Sequence, residues 1–109
     1  MSKNHIIFTF IILSIIGFQA NAETASKIEL LDDAKIFAKF DDKKPLVANY
    51  FTAHNENEII DFYKEKYGEI VTQESIKDIR ILKFSHLNNN IRVIISHQDN
   101  RQQVDLLIN

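Results

Sequence analysis

Residues 79–109 alternate apolar and polar side chains between short Asn/Asp turns, and this pattern dictates an antiparallel meander. Let Asp99-Asn100 form the centre of a hairpin turn. Gln98 then faces Arg101, Ile95 faces Val104, Val93 faces Leu106 and Ile91 faces Ile108. Asn and Asp tolerate the positive φ that two-residue turns demand. A slip of one residue would set Ile95 against Gln103 or Asp105, so burial of the apolar side fixes the register. Asn88-Asn89 is expected to turn the preceding hairpin, with Phe84 facing Val93 and Leu82 facing Ile95. The result is one shared apolar face: Leu82, Phe84, Ile91, Val93, Ile95, Val104, Leu106 and Ile108.

A face of that kind needs a cover, and the chain supplies a helix from Glu56 to Tyr67. Asn55 is the N-cap, and Glu58 can reach back to the cap's backbone N–H. Glu56, Glu58 and Asp61 sit where the helix dipole favours negative charge, Lys64 and Lys66 where it favours positive charge. Ile59, Phe62, Tyr63 and Tyr67 recur at spacings of three and four along one side. Gly68 is expected to end the helix in a left-handed conformation.

Upstream, Ala34 to Phe40 has the period of a strand. The polar turn Asp41-Asp42-Lys43-Lys44-Pro45 leads into a second strand, Leu46 to Thr52, hairpinned to the first. Both sides of that second strand are apolar or aromatic, which calls for cover on both sides or a ligand-facing side. A short strand follows the helix at Glu69 to Gln73. The fold class is therefore α+β: one helix packed on an antiparallel sheet in the order ββαββββ. Residues 34–109 form this single domain, and residues 23–33 form a leading arm docked through Ile28, Leu30 and Leu31.

Residues 1–22 have the form of a secretory signal peptide. Lys3 marks the charged start, Ile6 to Phe18 is almost wholly apolar, and Ala20-Asn21-Ala22 is a cleavage site. The apolar run falls short of the roughly 20 residues a membrane span needs. We expect cleavage before Glu23, export, a periplasmic rather than extracellular location, and no stable membrane insertion of the mature chain. The competing reading is an envelope structural protein tethered by an uncleaved leader. With no cysteine, the exported domain has no disulfide and must rely on its core. A net charge of −2 gives no field to hold nucleic acid.

Catalytic patterns are weak. His54, His86 and His97 are available, but the expected register sets His97 across from Arg80, about 20 Å along the strand from His86. Those two cannot share one metal ion, whose ligands lie about 2 Å from it. The helix carboxylates lie opposite the aromatics, where water keeps them ionised. No Ser stands in a G-x-S-x-G elbow. The sequence thus assigns no catalytic residue, no metal and no cofactor. Arg80, Lys83 and Arg92 read as a solvated sheet face.

The aromatics are more suggestive. Tyr50, Phe51, Tyr63 and Tyr67 cluster around the strand-to-helix transition, and tyrosine offers a ring with a polar tip. The expected function is a non-enzymatic binding module for a protein partner in the cell envelope, of inhibitor or immunity type. Docking would use this aromatic patch or a sheet edge offered by the last strand. The alternative is a small periplasmic hydrolase or metal-dependent enzyme using one of the histidines.

Overall fold

The computed structural model describes residues 25–109. The expected signal peptide at residues 1–22 and the expected start at Glu23 lie outside the described residues. The elements are β1 (Lys35–Phe40), β2 (Leu46–Thr52), α1 (Glu56–Tyr67), β3 (Ile70–Ile76), β4 (Ile79–His86), β5 (Asn89–Gln98) and β6 (Arg101–Ile108). This is the expected ββαββββ order. The strands form one six-stranded antiparallel sheet, β1-β2-β6-β5-β4-β3.

The β5–β6 hairpin has the register that burial demands: Gln98 faces Arg101, and Ile91, Val93 and Ile95 face Ile108, Leu106 and Val104. The β4–β5 hairpin does not have the expected turn. Its central residues are Leu87 and Asn88, both with positive φ (49° and 65°). Phe84 therefore faces Ile91 and Leu82 faces Val93, in place of Val93 and Ile95. The pairing moves by two positions, which preserves the side of the sheet each residue faces. Asn89 explains the choice. It is buried, and its Oδ1 accepts the Ser26 backbone N–H at 2.8 Å, while Ser26 Oγ donates to the His86 carbonyl at 2.8 Å. An Asn docked against the arm cannot also form the turn.

The last strand is not an edge. β6 lies between β2 and β5, and the edges are β1 and β3. β2 pairs with β6 from Leu46↔Ile108 to Thr52↔Gln102, which sets the N-terminal hairpin beside the meander.

Helix α1 has the expected capping box: Glu58 N–H donates to Asn55 Oδ1 and Asn55 N–H donates to Glu58 Oε1, each at 2.9 Å. Gly68 closes the helix at φ 98°, ψ −158°, outside the left-handed helical region and in one that essentially only glycine occupies. The eight expected meander residues are all buried, together with Leu31, Ala48, Tyr50, Ile59, Tyr63 and Tyr67. Each large aliphatic side chain removed from water in this way contributes about 1.5–3 kcal/mol. Ile28, Leu30 and Ala34 pack against the same core, so arm and helix cover it together.

The opposite side of the sheet has no such cover among the described residues. Phe37, Phe40 and Ile76 are more than half exposed, at 53%, 62% and 53%. The apolar second side of β2 thus belongs to an open face.

Candidate functional site

The three tyrosines are core residues, not a surface patch. Tyr50 and Tyr63 are fully buried and Tyr67 is 2% exposed. Their hydroxyls are committed to internal partners. Tyr63 Oη donates to the Glu29 carbonyl at 2.8 Å, and Tyr67 Oη donates to the Lys27 carbonyl at 2.7 Å while accepting from Glu29 N–H. Helix spacing put these rings on one side correctly, but the depth of each ring follows from the arm that crosses their tips. Phe62 sits at the rim, half-buried, its ring edge-on to Tyr63 at 4.9 Å.

Phe51 is the one residue of the expected patch that reaches the open face. Its ring lies 4.9 Å from the Phe37 ring, and the Arg101 guanidinium stacks 3.7 Å above it. Phe37 lies in a β-bulge of β1, where the pairing skips between Ile36 and Ala38, on the same side as Lys35, which faces Phe51. Simple alternation sets Phe37 on one side with Lys35 and Lys39; the bulge moves Lys39 to the other side, opposite Ala48, and nothing in the sequence marks it. Arg101 comes from the turn that the sequence located correctly. Beside this cluster a concavity of about 240 Å³ is lined by Asp33, Lys35, Phe51, Thr52, Ala53, Asn100 and Arg101.

The histidines are scattered. His86 lies tilted against the Tyr67 ring at 5.7 Å, and His97 lies at the far end of β5, with Nδ1 3.0 Å from Gln102 Nε2. His54 instead gathers carboxylates from the arm and from the first turn of the helix. Its Nε2 is 2.8 Å from Asp32 and 3.8 Å from Asp33, and its Nδ1 is 3.4 Å from Glu58. Asp32, Asp33 and His54 are the one group among the described residues with atoms close enough to share a cation.

The donor chemistry fits an ion-pair cluster better than a metal centre. Asp33 already accepts Thr52 Oγ1 at 2.6 Å and Ala53 N–H at 2.9 Å, one bond on each oxygen. The hydrogen bond to Asp32 raises the His54 pKa; burial opposes this, and Glu58 and Asp33 reinforce it. Both ring nitrogens of His54 face carboxylates, Nε2 toward Asp32 and Nδ1 toward Glu58, so the ring bridges arm and helix. Burial alone would raise the Asp33 pKa, but the Thr52 and Ala53 hydrogen bonds and the His54 charge hold it below its ordinary value. Glu58 is likewise lowered, chiefly by the Asn55 N–H.

A larger groove of about 410 Å³ lies on the open face over β3, β4 and β5. Its lining includes Val71, Thr72, Lys83, Ser85, Asn90, Arg92 and Leu107. Lys83 and Arg92, read from sequence as neighbours on an outer face, are directly opposite one another. No helix among the described residues is long and apolar enough to cross a membrane. Comparison with family models, curated proteins and solved structures finds no match for the chain.

Proposed function

We propose that this chain is an exported, non-enzymatic binding module that docks a protein partner in the cell envelope on the open face of its sheet. The contact centres on Phe37, Phe51 and Arg101. The observation that carries this reading is Phe37: a large aromatic ring, 53% exposed, packed at a tilt against Phe51, whose other contact is a guanidinium. Aromatic rings and arginine are the residue types that dominate the energy of protein interfaces. The leader-like residues 1–22 support export to the periplasm. An inhibitor or immunity protein is the specific form of module that this reading favours.

Site-specific photocrosslinking in envelope preparations tests it. A crosslinker at position 37 should yield one discrete protein adduct, absent when the crosslinker sits at exposed position 65 on the helix. The adduct should disappear in the Phe51→Ala variant. Identical adducts from both positions, or none from position 37, would refute partner docking on this face.

A further inference from the structure

One row of cross-strand partners crosses all six strands on the open face: Phe40, Val47, Leu107, Arg92, Lys83 and Thr72. Its first half is apolar and its second half is cationic and polar. Arg92 and Lys83 face each other directly, an arrangement of like charges that disfavours the pair of strands. Among the described residues neither has a carboxylate partner. Glu74, on the same side of β3, faces Ile81 instead.

Around these two cations the sheet is shaped. The pairing of β3 with β4 skips between Ile70 and Thr72, and the bulge leaves Val71 63% exposed on the rim of the groove. Ser85 and Asn90 face each other across the strands, and the Asn90 and Asn109 backbones exchange hydrogen bonds of 3.1 and 2.9 Å at the groove's end. The groove's volume of about 410 Å³ lies in the range of small-molecule sites.

We propose that this groove binds a monomeric anionic amphiphile, with a phosphate or carboxylate head between Arg92 and Lys83 and an alkyl chain laid across Leu107 and Val47 toward Phe40. The charge fits: a single anion relieves the repulsion of the two cations and accepts hydrogen bonds from both. The length fits too. Three strand spacings, about 14 Å, separate Arg92 from Phe40, and the last two run over Leu107, Val47 and Phe40. The site is separate from the Phe37–Phe51 contact and does not depend on partner docking there.

Calorimetry with octyl phosphate below its micellar threshold tests the proposal. One molecule should bind per chain, and octyl glucoside and inorganic phosphate should each bind about tenfold more weakly or worse. Arg92→Gln and Lys83→Gln should each weaken octyl phosphate by a similar factor. Lys83→Glu should abolish binding while raising the thermal midpoint, since it sets opposite charges across the strands; this separates loss of the site from loss of the fold. Absence of binding, binding unchanged in these variants, equal binding of inorganic phosphate or octyl glucoside, or association only with phosphatidylglycerol vesicles would overturn it.

Discussion

The Tyr50 and Tyr63 hydroxyl oxygens lie 2.6 Å apart in the core. Tyr63 spends its one proton on the Glu29 carbonyl, so Tyr50 is the donor between the two rings. The bond joins β2 to α1 and, through Glu29, to the arm.

The two hydroxyls are therefore unequal. Tyr63→Phe strands both the Tyr50 O–H and the Glu29 carbonyl and should cost about 1–3 kcal/mol. Tyr50→Phe leaves the bond to Glu29 intact and should cost less. Urea unfolding of the two variants checks the order, and equal losses would contradict the assigned donor.

Alkaline stability follows from the same rings. Burial pushes Tyr50 from 10.0 up to about 12, and burial raises Tyr63 and Tyr67 further. Their folded values exceed their unfolded ones, so their contribution is whole below pH 10 and is lost as the pH rises through about 12. The chain has three tyrosines, so tyrosinate absorbance reports on these alone. It should rise together with loss of the near-ultraviolet circular dichroism. A rise near pH 10 with that signal intact would show the rings to be accessible.

His54 gives a second pH dependence, at the junction of arm and helix. Its raised pKa means its contribution is present below pH 6.5 and is lost as the pH climbs through the folded value. Asp33 and Glu58 act in the other direction: lowered pKa values give a contribution present above pH 3.8 and 4.5 and lost on acidification. The three coexist between about pH 4.5 and 6.5. His54→Gln should flatten the neutral limb of a midpoint-versus-pH profile. Added salt should weaken the dependence in the parent protein, since the cluster is solvent-accessible.

The Leu87-Asn88 turn offers a stabilising change. Leu87 holds φ 49° with 40% of its surface exposed, so it carries left-handed strain with little burial in return. Leu87→Asn should gain about 1 kcal/mol by relieving that strain. Asn89→Ala, by contrast, removes the acceptor of the Ser26 N–H and should cost about 1–3 kcal/mol. Thermal melts measure both, and hydrogen exchange at Ser26 should accelerate only in the Asn89 variant.

Those two asparagines also show what a sequence can disclose. Side-chain alternation reports which side of a sheet a residue faces, so Leu82, Phe84 and Val93 were legible as core. It does not distinguish registers two residues apart, because both bury the same set. The choice lay in the contact between Asn89 and Ser26, residues distant in sequence. The β5–β6 register was legible because Asp99-Asn100 had no competing neighbour. The helix was legible from its cap and charges. The site was not: Tyr63 and Tyr67 have the periodicity of a helix side, but their burial depends on the arm laid over them. Phe40 shares the open side with Phe37 and Phe51 only because β1 is bulged. His54 meets Asp32 across the whole β1–β2 hairpin, a separation no local pattern spans.

Strand β6 separates the N-terminal hairpin from the rest of the sheet and pairs with both. During synthesis, then, β2 waits for residues 101–108 before it can join β5's side of the molecule. A nascent chain halted before that point holds two pieces of sheet with no strand to join them.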